Sequence, residues 1–372
     1  MTPHPRVHVV RLITLTAALI TSTLAQDAAA PSNGGTVVLR GLNGPQGVYV
    51  ARDGSVWVTD SGTGGTGSFT VPGDNDTRQT IRYGETARVI RLDPRTGRST
   101  TLTVPSTLGA EGSEGASRVT ELAGQVYVTS GHWAAGASIA PLKNNAAVLR
   151  VTGTAVREVA STWALESARD PDKQGADSHA YGLTAGPDGK LWLTDAGGND
   201  LLTLDPTSGT LSVVAVFANL PIDNPGPNLP PSAQPVPTAV AFLGSAAYVS
   251  LLPGFPFTPG SSKVVRVARD GATTDYATGL SMTTDLRAGP DGNLYAVQLG
   301  QFGEQGPVAG TGSIVRIRAG GAKETVLRGL DTPTSVAFDP AGNAYVSVNG
   351  AAAPGTGLVL RFPGLTRLPA LR

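Results

Sequence analysis

Two short runs of alternating apolar residues, split by a tight turn, recur along this chain, and few folds can accommodate that repetition. The clearest copy runs from Tyr181 to Asp195 around Gly186-Pro187-Asp188-Gly189. There Pro pre-sets a turn, and the last Gly can take the left-handed conformation that closes a hairpin. Related copies run from Gln46 to Asp60, Asp285 to Gln298 and Thr334 to Asn349, and looser ones from Arg118 to Ser130 and Thr238 to Ser250. Each second strand carries one large aromatic: Trp57, Tyr127, Trp192, Tyr248, Tyr295 and Tyr345. These lie about 47 to 70 residues apart, the spacing of a repeat array rather than of two unrelated domains.

A third strand follows every hairpin, as in Ala87 to Asp93, Ala147 to Val151, Leu201 to Asp205, Lys263 to Ala268 and Ser313 to Arg318, and a fourth follows a tight turn, as in Leu211 to Val216. The pattern predicts an all-β fold, a six-bladed β-propeller of four-stranded antiparallel blades. Only Thr162 to Ala168 reads as helix. The last unit has a third strand, Leu358 to Phe362, but no room for a fourth. Thr36 to Leu42 echoes Thr325 to Leu330, the outer strand of the fifth unit, so the N-terminal strand is expected to close the ring. One domain, 36–372, is the expected body.

Met1 to Arg11 is basic and free of acids, Leu12 to Leu24 is apolar, and Thr23-Leu24-Ala25 has the small-x-small form that a signal peptidase reads. Residues 1–25 are therefore expected to be a cleaved signal peptide cut after Ala25, and 26–35 a flexible segment. The apolar run falls short of the roughly 18 residues of a membrane span, so no transmembrane segment is expected in the mature chain. A chain without Cys cannot form disulfides or thiolate metal sites, which suits a secreted or periplasmic protein. Lys+Arg 28 balances Asp+Glu 28, which argues against nucleic acid as a partner. A monomer is the expected state.

In a four-stranded meander the tight turns gather at one end and the variable connections at the other. The long connections here are 61–86, 131–145, 161–179, 219–236, 251–262 and 299–311. The face they share is the expected binding face.

Asp195-Ala196-Gly197-Gly198-Asn199-Asp200-Leu201-Leu202, Pro253-Gly254-Phe255-Pro256-Phe257 with Gly260, Asp177-Ser178 leading to Tyr181-Gly182-Leu183, and Ser61-Gly62-Thr63-Gly64-Gly65 together resemble the ScyD/ScyE family of secreted propeller proteins. The resemblance covers nearly the whole mature chain. It implies an NHL-like or SMP-30-like six-bladed propeller and an exported protein, without an established activity. Ser250 and Gln298 stand where related sequences often carry Glu.

The starts of the six innermost strands, near Gln46, Arg118, Tyr181, Thr238, Asp285 and Thr334, are expected to line the central channel. Lactonase-type propellers hold a divalent cation there, and a hard cation wants several oxygen ligands with net negative charge. Only Asp285 among these positions is acidic, with Glu114 and Asp177 near in sequence. These three are the candidate ligands for Ca2+ or Mg2+. The competing reading, which the composition of the set favours, pairs Asp285 with Arg118 or a neighbouring blade.

His132 and His179 fall on the long-loop face and are candidates for proton transfer or metal binding. Trp133, Phe255, Phe257, Phe302 and Tyr83 belong to the same loops, beside the Pro-rich 221–237 stretch. Rigid aromatic surface of this kind suits a small molecule, a glycan or a protein partner, while the alternative is that the rings pack the loops down. Asp74-Asn75-Asp76 lacks the later Gly and Glu of a calcium loop, 61–67 lacks the Lys of a phosphate loop, and no nucleophile elbow is present. Two readings follow: a binding propeller, or a cation-dependent lactonase-like hydrolase or a lyase at the channel mouth.

Overall fold

A computed structural model of the protein describes residues 34–73, 77–110, 112–223, 229–303 and 306–371. The expected signal peptide 1–25, nearly all of the 26–35 segment and Asp74-Asn75-Asp76 lie outside them.

The chain builds a β-propeller. Each hairpin read from the sequence opens one antiparallel sheet, and the sheets are numbered here in chain order. Sheet 1 starts with Pro45–Val50 and Val56–Asp60, sheet 2 with Ala116–Leu122 and Gln125–Ser130, and sheet 3 with Asp177–Ala185 and Leu191–Asp195. Sheet 4 starts with Pro237–Leu243 and Ala246–Leu251, sheet 5 with Thr283–Ala288 and Leu294–Gln298, and sheet 6 with Ser335–Phe338 and Ala344–Val348. The N-terminal strand Thr36–Leu42 pairs antiparallel with Gly357–Phe362 and is the outer strand of sheet 6. The first and last strands of the described residues thereby share one sheet.

Alternation puts one row of side chains of each sheet against the next sheet, and six apolar clusters result, one per junction. Tyr295 packs with Val336 and Val346 between sheets 5 and 6, and Tyr345 with Val48 and Val58 between sheets 6 and 1. Trp57, Tyr127, Trp192 and Tyr248 occupy the corresponding clusters at the other four junctions. The repeated aromatic of the sequence is therefore the wedge between neighbouring sheets. Threonine hydroxyls tie the inner rim: Thr59 donates to Ser117 O at 2.7 Å, Thr129 to Tyr181 O at 2.7 Å, Thr238 to Thr283 O at 2.8 Å and Thr334 to Pro45 O at 2.6 Å.

The long connections are more structured than the sequence indicated. The third strand of sheet 1 spans Arg78–Leu92 and pairs with Gly67–Pro72 within the 61–86 connection. His132–Ala134 adds a fifth strand to sheet 3. The helix is Thr162–Arg169, with Ser161 as its N-cap accepting from the Ala164 N–H.

Arg118 enters the axis from sheet 2 and is fully buried. It donates to Gln46 O of sheet 1, to Thr284 O of sheet 5 at 2.6 Å and to Thr334 O beside sheet 6 at 3.1 Å, and its Nε lies 3.6 Å from Asp285 Oδ1. Removing one partner from a buried charge pair strands the other, at about 3–5 kcal/mol. Arg118→Met is expected to lower unfolding stability by about that amount in urea titrations; a change below about 1 kcal/mol would show that Arg118 does not knit the sheets.

Candidate functional site

The site is built at the junction of sheets 2 and 3 on the long-loop face. Glu114 lies just before the innermost strand of sheet 2 and Asp177 begins that of sheet 3. Gly131 turns the chain between them with φ +71°, and its N–H bonds Gly115 O at 2.8 Å. A Cβ at Gly131 would sit 1.7 Å from Asn145 Oδ1, so only glycine fits this turn. The turn sets His132 opposite His179 in the strand ladder.

There His132 is held on both ring nitrogens, Nδ1 lying 3.0 Å from Glu114 Oε2 and Nε2 lying 2.7 Å from Asp177 Oδ1. Burial would disfavour its charge, but Glu114 and Asp177 outweigh that, so its pKa is raised well above the ordinary 6.5. With two acceptors on a mostly buried ring, His132 is an imidazolium at neutral pH: it can donate a proton but cannot accept one.

His179 is the opposite case. Its ring lies 5.8 Å from that of His132 and 5.2 Å, edge-on, from Tyr181. Burial lowers its pKa to about 4, and neither ring nitrogen has a hydrogen-bond partner among the described residues. The line continues inward: Tyr181 donates its hydroxyl to Gln46 Oε1 at 3.0 Å, and Arg118 Cζ stands 4.5 Å over the Tyr181 ring. Polar groups thus run from the loop face down to the filled axis.

At the axis Asp285 is fully buried. Arg287 Nε lies 3.2 Å from Oδ2, Ser335 donates to the same oxygen at 2.6 Å, and Leu286 N–H bonds Oδ1 at 2.9 Å. Burial would raise its pKa, but Arg287 and Arg118 outweigh it and hold the carboxyl below its ordinary value. A carboxylate flanked by two guanidinium groups has no net charge left for a cation. Thr238 and Thr334, placed on the channel by the sequence, spend their hydroxyls on the junction bonds above.

The aromatic residues divide. Trp133, expected on the surface, is 3% exposed and stacks on Phe69 with ring centroids 4.9 Å apart. Tyr83 also meets Phe69, with ring centroids 5.8 Å apart. Phe257 is also buried, against Phe302 at 4.8 Å and beside Leu252, Met282 and Leu299. Phe255 alone of the five is exposed, at 41%. The strand Gly67–Pro72, which the sequence did not signal, supplies Phe69 and accounts for the burial of Trp133, while Phe257 is covered by its own loop neighbours. Together Phe69, Val71, Ile81 and Trp133 wall a pocket that ends on Glu114 and His132.

No protein-family model matches the sequence, and no curated protein is similar to it. Among solved structures, the chain is similar to regucalcin, a calcium-binding protein of Agrobacterium tumefaciens strain C58, with a TM-score of 0.53, 12% identity and coverage of 89% of this chain and 93% of that one. It is also similar to a luciferin-regenerating enzyme, with a TM-score of 0.50, 13% identity and coverage of 91% and 98%. A Bacteroides thetaiotaomicron protein of unknown function gives 0.50 and 12%, with coverage of 89% and 72%. At these identities the likeness is one of fold, a β-propeller.

Two outcomes are expected. Trp133→Ala destabilises the protein by about 3–5 kcal/mol, while Phe255→Ala stays within about 0.5 kcal/mol, as read by thermal or urea unfolding; equal effects would contradict the burial assigned here. Because the folded pKa of His132 is raised, its stabilisation is complete below about pH 6.5 and is lost as pH rises through the folded value. The stability gap between wild type and His132→Gln therefore narrows in alkaline buffer, and a gap that widened would show that His132 is buried neutral.

Proposed function

We propose that this protein is an exported ligand-binding propeller of the ScyD/ScyE type that holds a small molecule in the pocket between the Gly67–Pro72 hairpin and strand His132–Ala134. The observation that carries this reading is an apolar, aromatic-walled pocket ending on a Glu114–His132–Asp177 cluster. Pockets of this composition take the body of a ligand by apolar contact and orient it through a few polar groups. With two carboxylates against one imidazolium, the polar end carries net negative charge. It suits a ligand that offers hydroxyl or amine donors from an aromatic or aliphatic body. The elaborated loops of the same face supply the rim.

A second reading, hydrolase or lyase chemistry at the channel mouth, draws on the neutral His179 beside the cationic His132, which is the pairing of a base with an acid. A lactonase-like cation at Asp285 has less support, since Arg118 and Arg287 already neutralise that carboxylate.

A thermal-shift screen of small aromatic and aliphatic amines and polyols checks the first reading. Compounds that stabilise wild type are expected to lose their effect in Glu114→Gln, which removes charge, and in Ile81→Trp, which fills the pocket. Hits indifferent to both substitutions would place binding elsewhere. Turnover of a δ-lactone that requires added Ca2+ and disappears in Asp285→Asn would favour the hydrolase instead.

A further inference from the structure

Beside the strand that carries Asp177 and His179, where the helix Thr162–Arg169 packs against it, lies a second set of acidic groups. The helix Thr162–Arg169 contributes Glu166, which is 1% exposed, and its C-terminal end leads into Asp170 and Asp172. Oxygen atoms of Glu166, Asp170 and Asp172 all lie within 4.8 Å of one another. Opposite them, the hairpin of sheet 3 pairs Asp195 with Asp200 across its two strands. Both are buried. A Cβ at Gly198, in the turn between them, would stand 2.8 Å from Glu166 Oε2, so the helix carboxylate presses directly on this turn.

The partners of these groups are unequal. Asp195 is satisfied by Ser178 Oγ at 2.7 Å, His179 N at 2.6 Å and Gly198 N at 3.1 Å. Asp172 accepts from Gln174 N and from Asn199 Nδ2 at 2.8 Å. Asp200, fully buried, has no hydrogen-bond partner for either carboxylate oxygen, and Glu166 has none for Oε1, among the described residues. No Lys, Arg or His there forms an ion pair with any of the five acids. The C-terminal end of a helix, which carries negative partial charge, adds to the excess.

We propose that Glu166, Asp170, Asp172 and Asp200 form a binding site for a hard divalent cation, Ca2+ in particular. Two oxygens that share a Ca2+ at about 2.3–2.6 Å stand up to about 5 Å apart, so the spacing of the three clustered carboxylates suits a common ion. Asp200, whose oxygens have no hydrogen-bond partner among the described residues and which feels the charges of Glu166 and Asp172, would add its carboxylate beside these three, with water completing the shell. The flexible coordination of Ca2+ also tolerates ligands on irregular backbone such as Asp170, whose φ is +43°.

Protons are the competing way to neutralise the cluster. Burial, then the neighbouring Asp195, raises the pKa of Glu166 to about 8, and burial with Asp195 and Glu166 raises that of Asp200 well above the usual range. A protonated Asp200, however, gains a hydroxyl with nothing to receive it, a cost that buried polar groups rarely carry. A cation satisfies all the unpartnered oxygens at once. It also braces the helix end against the turn whose Asp195 fixes Ser178 and His179.

The test is calorimetric titration of Ca2+ alone into the purified full chain after EDTA treatment and dialysis, alongside melting curves. Wild type is expected to bind about one Ca2+ per chain and to melt higher with it, whereas Asp200→Asn and Glu166→Gln weaken binding by about tenfold or more. In metal-free buffer both variants are expected to melt no lower than wild type, because each puts a neutral amide in place of a buried carboxyl that without metal is neutralised only by taking up a proton, which separates lost binding from lost folding. Should either fail to fold, Asp172→Asn at the half-exposed edge is read in its place. Absence of binding heat and melting shift at millimolar Ca2+, or unchanged Ca2+ binding in the variants, overturns the proposal.

Discussion

The structure turns on the guanidinium of Arg118. It lies on the axis where the sheets converge, and it spends its donors on carbonyl oxygens of sheets 1 and 5 and of the segment entering sheet 6. Each sheet ends at the axis on its innermost strand, and the edge carbonyls of those strands need donors that the ladders cannot provide. One planar, permanently charged group meets several of them at fixed angles, which a lysine could not do. Asp285 balances its charge, and Arg287 and Ser335 in turn hold Asp285. The pair costs desolvation, and its return is a single register between sheets far apart in sequence.

Filling the axis in this way moves chemistry outward. In place of an open polar channel, there is a line of contacts from Arg118 through Tyr181 and His179 to His132, each residue orienting the next. The two histidines differ in protonation although they face each other in one strand ladder. His132 is embraced by two carboxylates, and His179 is buried against rings and receives no counter-charge. A few ångströms of position decide which imidazole carries a proton. The pocket beside His132 exists because the third strand of sheet 1 extends beyond its pairing with the second strand and, with Gly67–Pro72, brings Phe69 and Ile81 to Trp133.

Much of this was readable in advance. The hairpins, the helix at Thr162 and the pairing of Thr36–Leu42 with the final unit follow from strand period, turn chemistry and an echo between two strands. The competing fates of Asp285 were also visible, since an Arg stood at the matching position of another unit. The fate of Trp133 was not: its burial depends on Phe69, some sixty residues away, in a hairpin whose strands look like a Gly-rich loop and a polar run. Nor was the acidic cluster. Asp195-Ala-Gly-Gly-Asn-Asp200 reads locally as a turn, and Glu166 as one polar residue on a short helix. Only their meeting leaves carboxylate oxygens without partners.

By itself the sequence determined the repeat, its strand order and the one large aromatic that recurs in each second strand. These are set by the alternation of side chains along a strand and by turns whose residues must tolerate particular dihedral angles, and both act within a few residues. Tertiary structure alone decided which charges meet: Arg118 with Asp285, His132 with Glu114 and Asp177, Glu166 with Asp170 and Asp172. Electrostatic pairing is governed by distance through space and by the water excluded there, and neither quantity is encoded in the spacing of residues along the chain.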